Sequence, residues 1–259
     1  MTRMKRYAIV SKQDESSYEL AELIRKELDP VMTYDENMPE MVISIGGDGT
    51  ILYSVKKYED LLDDVCFVGI HTGTLGFFTD YQNEEYMDLV NDIKTKDVAF
   101  TDRALIEVHM GDSVHYALNE MRIENNRRSQ VIDVFINEEH METFRGNGLC
   151  VCTPSGSTAY NKSVNGAVIR PGNKAMELSE IAGIHHNAYR SLGSSLILGE
   201  NDTIRFETLN YEDSVICIDL KNYEMTANKV VRVNLSKKVA HFLDYRQVSF
   251  ISRLKKAFL

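Results

Sequence analysis

The chain has 259 residues, 43% of them apolar, and a formal net charge of −10. That apolar share supports a real core, in one large domain or two modest ones, while the acidic balance argues against a general nucleic-acid binder, which carries a basic face. No apolar run approaches the roughly 20 residues of a membrane helix and no signal-peptide core opens the chain, so the expectation is a cytoplasmic protein with neither nucleic acid nor membrane as partner.

Taken in order, residues 7–11 read as a strand. Ser16 or Ser17 can start a helix whose stripe is Leu20, Leu23, Ile24 and Leu28, and Pro30 ends it. A short strand at 32–34 precedes an apolar run, 41–45, that reads as a buried parallel strand. It stops at Gly46-Gly47-Asp48-Gly49, and Thr50 opens a helix reaching about Lys57. Residues 66–70 form another buried strand, followed by a second unusual loop, His71-Thr72-Gly73-Thr74-Leu75-Gly76-Phe77-Phe78. Tyr86, Leu89, Val90 and Ile93 are spaced for one helix face. Strands alternating with helices predict a doubly wound parallel sheet, with both glycine loops at the C-terminal strand ends where ligands sit.

The rhythm changes near Phe100. Residues 103–110 alternate, Gly111-Asp112 turns, and 114–123 alternate again; within that stretch Leu118-Asn119-Glu120 reads as a strand end. Ile132, Val134 and Ile136 share a face, and Asn137-Glu138 turns the chain towards 141–144. Further strands are expected at 148–152, 194–198, 203–206, 215–220 and 230–235, with one helix at about 175–184. Many short strands with turn signals predict an all-β domain of two sheets, sandwich-like, over 101–244. The α/β domain covers 1–100, and an amphipathic segment at 248–258 returns to it, so that 245–259 belongs there too. Cys66, Cys150, Cys152 and Cys217 lack zinc spacing; Cys150 and Cys152 share one strand face and read as buried thiols in a reduced compartment.

Three stretches carry chemistry. Strand, glycine loop and helix start form the usual layout of a phosphate site: glycines allow positive φ and close approach, and Thr50 can cap the helix while free N–H groups face an anion. Asp48 is the odd member. A carboxylate beside phosphates could hold Mg²⁺, accept a ribose hydroxyl bond, or take a proton from an attacking hydroxyl; the plainer reading is a tight turn. Asn119 and Glu120 place an amide beside a carboxylate, and Glu120 competes with Asp48 as a base. Thr153-Pro154-Ser155-Gly156-Ser157-Thr158-Ala159-Tyr160-Asn161-Lys162-Ser163 gathers hydroxyls that suit a ribose, an amide or a phosphate, or make a polar loop running into a helix cap. The histidines, His185-His186 included, show no i,i+4 metal pattern, and no G-x-S-x-G elbow supports a serine hydrolase.

With these stretches read together, the chain resembles the NAD kinases, closest to the short bacterial enzymes. The matching pieces are Gly46-Gly47-Asp48-Gly49-Thr50, His71-Thr72-Gly73 with Leu75-Gly76-Phe77, Asn119-Glu120, and Gly148-Leu149 through Thr153 to Tyr160. Diacylglycerol kinases and phosphofructokinases carry stretches like the first, so the order of all the pieces is the specific signal. The resemblance implies transfer of the ATP γ-phosphoryl to the 2′-hydroxyl of NAD's adenosine ribose with Mg²⁺, no fixed protein metal site, and a homotetramer or homodimer. It implies Asp48 as base or activating carboxylate, Gly46, Gly47, Gly49 and Thr50 on the phosphate and ribose side, and Phe77 against the adenine. It also implies Asn119 and Glu120 on ribose hydroxyls, Asn147 at the nicotinamide side, and Ser155, Thr158, Ala159, Tyr160 and Ser163 lining the dinucleotide cleft. Asn147 replaces the family's usual Asp, and Arg170 and Leu220 stand where many relatives carry histidines. The competing readings are a lipid or sugar kinase on the same glycine scaffold and a dinucleotide sensor without turnover.

Overall fold

The computed structural model describes residues 4–73, 76–210, 212–225 and 230–259; Thr74 and Leu75 of the second glycine loop lie outside them. The chain divides into two compact units, residues 1–103 with 239–259, and residues 104–238.

The first unit is a parallel sheet. Its strands are β1 (Arg6–Ser11), β2 (Thr33–Tyr34), β3 (Met41–Ile45) and β4 (Cys66–His71), in the order β2-β1-β3-β4, with β5 (Tyr81–Gln82) parallel to β4. All of β3 and β4 is buried, as strands covered on both faces must be. On one face Ile9, Ile43 and Val68 pack with Leu20, Ile24 and Leu28 of helix α1 (Glu15–Leu28). The other face meets α2 (Asp48–Lys57): Ser44 and Ser54 hydroxyls bond at 2.6 Å, and Gly69 leaves room for Ile51. Helix α3 (Tyr86–Thr95) adds Leu89 and Val90 to the first core. A helix at the end of the chain, Phe250–Phe258, belongs to this unit.

Local details differ from the sequence expectation. Asp14, not Ser16 or Ser17, caps α1 by accepting the Ser17 N–H, because its carboxylate is the stronger acceptor one turn earlier. Leu23 is exposed, and Ala21 takes its place in the buried stripe.

The second unit holds two antiparallel sheets. Its first strands are β6 (Phe100–Met110), of which residues 104–110 lie here, β7 (Ser113–Ala117), β8 (Glu120–Glu124), β9 (Gln130–Ile136), β10 (Glu139–Gly146) and β11 (Gly148–Cys152). After a single-turn helix α4 (Tyr160–Ser163) come β12 (Ala175–Ile181), β13 (Leu196–Gly199), β14 (Thr203–Thr208), β15 (Val215–Ile218), β16 (Lys221–Glu224) and β17 (Val230–Leu243), of which residues 230–238 lie here. One sheet runs β10-β9-β14-β17 and the other β13-β12-β11-β8-β15-β16. Met121, Ile123, Leu149, Val151, Met176 and Leu178 of the second sheet pack on Ile132, Val134, Ile204, Phe206, Val231 and Val233 of the first. The two-residue turn at Asn137-Glu138 has both residues at positive φ, as a twisted hairpin requires.

The helix expected at 175–184 is instead strand β12. Its Ala, Met, Glu and Leu are good helix formers, but β11 and β13 pair with it on both edges and its apolar side chains enter the core alternately. The long strand expected over 114–123 is broken at Leu118-Asn119, so Asn119 and Glu120 stand at the start of β8 rather than at a strand end.

Candidate functional site

Gly46 follows β3 at φ 152°, where a Cβ would fall 2.2 Å from Thr50 Oγ1. Gly47 is the N-cap of α2 at φ −105°, with open space around its Cβ position, as at Gly49. The positive φ expected of this loop is therefore confined to Gly46. Thr50 lies within the first turn of α2 and is not its cap; the helix begins earlier because the Gly47 carbonyl already accepts from the Thr50 and Ile51 N–H groups.

Asp48, at the head of α2, points its carboxylate at the second loop. Phe77 N–H donates to Oδ2 at 2.8 Å and Phe78 N–H to Oδ1 at 3.1 Å. The carboxylate lies so close to Gly76 that a Cβ there would be 2.1 Å from Oδ1. Each oxygen still has a lone pair free. Phe77 is half-buried, its ring 6.4 Å from Phe250 and 5.7 Å from Phe258, centroid to centroid. His71, buried at the end of β4, accepts the Gly73 N–H at Nδ1; burial, helped by Lys256, pushes its pKa down.

The second unit gathers the other group. Asp219 accepts N–H bonds from Leu118 (2.7 Å), Asn119 (2.9 Å) and Glu120 (3.2 Å), which breaks the strand and turns Asn119 inward. Thr153 Oγ1 donates to the Leu118 carbonyl at 2.6 Å, and Gly156 packs so tightly on the Asn119 backbone that a Cβ would sit 2.0 Å from its carbonyl oxygen. These contacts join the Asn-Glu pair to the hydroxyl-rich loop. Asn119 Oδ1 and Glu120 Oε2 are buried and have no hydrogen-bond partner. Burial first, and the nearby Asp219 charge second, push the Glu120 carboxyl up to about 7, while Arg122 pulls it down.

The face of β8 that carries Glu120 also carries Arg122 and Glu124, opposite Cys152, Cys150 and Gly148 of β11. All four cysteines are buried and free. Tyr160 closes over this face, its hydroxyl donating to Glu124 at 2.7 Å and its ring 4.0 Å from the Arg122 guanidinium. Beside it Asn161 donates to Glu177 at 2.8 Å and accepts from Ser179 at 2.7 Å, holding the loop to β12. Ser155 is buried, Thr158 and Ala159 are half-buried, and Ser163 is exposed. Asn147 is exposed, and its amide donates to the Asn125 carbonyl at 3.0 Å, a bond an ionised Asp could not make. Arg170 and Leu220 are exposed. Sequence reasoning did not assign roles to Asp219, Arg122, Glu177 or Arg253. The partners of Asp219 and Arg253 lie 100 or more positions away along the chain, so no local motif marks them, and the pairing of Arg122 with Glu124 two residues on is too common a strand pattern to do so.

Residues 1–98 match the ATP-NAD kinase N-terminal domain, and residues 118–245 match the ATP-NAD kinase C-terminal domain. The chain belongs to the ATP-NAD kinase family. NAD kinase 1 of Listeria innocua is 37% identical over 265 aligned residues, covering 98% of this chain and 99% of that protein. NAD kinase of Levilactobacillus brevis is 38% identical, with 97% of each covered. Yeast NADH kinase, solved with NADH, has the same fold (TM-score 0.86, 19% identity, 99% of this chain and 88% of that one). So has an NAD kinase from Archaeoglobus fulgidus, solved with ATP (TM-score 0.77, 20% identity, 97% and 99%).

Three predictions follow from this geometry in an ATP-NAD kinase. Gly46→Ala, forced into a left-handed conformation against Thr50, costs about 1–3 kcal/mol in urea unfolding, while Gly47→Ala leaves stability unchanged. Glu120 ionises near pH 7 in the folded chain, so NAD binding tightens as pH rises from 6 to 8, and Glu120→Gln flattens the profile. Its raised pKa favours the fold fully below the unfolded value of 4.5 and loses that contribution as pH rises through 7, so Glu120→Gln is relatively more stabilising at pH 8 than at pH 4.

Proposed function

We propose that this chain transfers the γ-phosphoryl group of ATP to the 2′-hydroxyl of the adenosine ribose of NAD, giving NADP. The observation that carries the ribose assignment is the pair of buried acceptors without partners, Asn119 Oδ1 and Glu120 Oε2. An unmet buried acceptor costs about 1–3 kcal/mol, a cost removed when a ligand supplies hydroxyl donors. A ribose diol is such a donor, and the Thr153–Tyr160 stretch with Ser163 offers hydroxyls and N–H groups for the rest of a dinucleotide. Asn147 stands for the nicotinamide-side contact.

Asp48 is the base. The ribose hydroxyl gives its proton to a carboxylate oxygen, its own oxygen bonds to the γ-phosphorus, and the bond from that phosphorus to the bridging oxygen breaks to release ADP. The two N–H bonds aim the carboxylate without consuming its remaining lone pairs. Gly46, Gly47, Gly49 and Thr50, at the N-terminus of α2, suit phosphate oxygens, with Phe77 beside the adenine. Mg²⁺ supplies charge neutralisation on the phosphates when bound. Asp48's hard carboxylate oxygens would fit such an ion, carried in with the nucleotide. We further propose a homo-oligomer, tetramer or dimer, acting in the cytoplasm, where the four free thiols stay reduced; light scattering of the purified chain tests the assembly.

The deciding experiment is a coupled NADP assay with NAD, ATP and Mg²⁺. Consumption of diacylglycerol or fructose 6-phosphate would favour a kinase of another acceptor on the same scaffold, and NAD binding without turnover a sensor. Asp48→Asn keeps an acceptor for one of the two loop N–H groups and removes the basicity. It is expected to lower kcat at least about a hundredfold while NAD affinity stays within about tenfold. A kcat within about threefold of wild type would move the base to Glu120.

A further inference from the structure

The Gly76–Phe77 peptide unit is gripped from both sides. Its N–H donates to Asp48 Oδ2 at 2.8 Å, and its carbonyl accepts from Arg253 Nη1 at 3.2 Å. The same Nη1 donates to the Thr79 carbonyl at 2.7 Å, and Nη2 binds the Asp80 carboxylate. Arg253 is only 7% exposed, although the rest of its helix is exposed apart from half-buried Phe250 and Leu254. The helix also holds the residue's side chain, since Phe77 packs on Phe250 and Phe258. One peptide plane thus links a buried guanidinium to the carboxylate read above as the base.

We propose that Arg253 is a positioning residue for phosphoryl transfer, acting on Asp48 through the Gly76–Phe77 peptide. A peptide unit bonded at both its oxygen and its nitrogen cannot rotate without losing both bonds. The guanidinium charge also polarises the unit, strengthening the N–H bond to the carboxylate. Without Arg253 the plane is free to tilt, and Asp48 loses the donor that sets its rotamer. Lysine cannot replace it, because an ammonium does not span two carbonyls and a carboxylate with the fixed fork of a guanidinium.

The proposal rests on the kinase reading, and the test separates the two. Arg253→Met, in the full chain, is expected to lower kcat about tenfold or more with both KM values within about threefold, and Arg253→Lys to fall between. Lys255→Ala, at an exposed site on the same helix, serves as control and leaves kcat unchanged. In an Asp48→Asn background Arg253→Met should lower kcat by less than about threefold, since the group it positions is gone. Independently of turnover, hydrogen exchange at the Phe77 and Phe78 amides should speed up about tenfold in Arg253→Met while β3 and β4 amides keep their protection. An equal fall in both backgrounds, a kcat unchanged by Arg253→Met, a silent Asp48→Asn, or unchanged exchange at Phe77 and Phe78 would each overturn the proposal. If Arg253→Met does not fold, Arg253→Lys carries the same cycle and exchange measurement. A wild-type chain that makes no NADP would sink the kinase reading alone, because the exchange result would still decide whether Arg253 holds the loop.

Discussion

The first unit depends on a carboxylate shared between two loops. Asp48 belongs to one glycine loop and spends its hydrogen bonds on the other, accepting from Phe77 and Phe78. Hydrogen bonds that a carboxylate accepts are among the stronger ones a chain can make, and here they tie the end of β3 to the stretch after β4. Gly76 is what permits the approach, since any side chain there would occupy the place of the carboxylate.

The second unit solves a related problem with a different carboxylate. Asp219 collects three successive N–H groups from Leu118 to Glu120, so the chain can leave its ladder there without abandoning backbone donors in the interior. The strand break turns Asn119 and Glu120 towards the hydroxyl-rich loop, which Gly156 and Thr153 seat against them. Beneath that loop one face of the second sheet is polar and largely paired: Arg122 with Glu124 and Tyr160, Glu177 with Asn161, Ser179 with Asn161. Asn119 Oδ1 and Glu120 Oε2 are adjacent unmet acceptors beside that loop, with Arg122 Nε an unmet donor on the same face, and the raised Glu120 pKa is the electrostatic counterpart of the carboxylate's burial.

Much of the architecture was legible along the chain because it is written in short-range patterns. Continuous apolar runs at 41–45 and 66–70 mark strands covered on both faces, and alternation at 130–136 marks a strand with one core face. Residues 175–181 were misread because their composition favours a helix, and only two flanking strands supply the hydrogen bonds that make them a strand. The glycine loop was recognisable as a loop, yet which glycine needed positive φ was not, since Gly46 and Gly47 are chemically identical until Thr50 is placed beside one of them.

By itself the sequence determined the elements that local propensity controls, the motif residues Asp48, Asn119, Glu120 and the Thr153–Tyr160 stretch, and through their order the family. What only the tertiary structure decided is how those residues are held. Asp219 reaches Asn119 across 100 positions, and Arg253 reaches Gly76 across 177. A carboxylate or guanidinium this far from its partner leaves no periodicity and no spacing to read. Its role exists only once the backbone brings an unpaired N–H or carbonyl within hydrogen-bonding distance, and that distance is set by the packing of strands and helices that the local pattern does not encode.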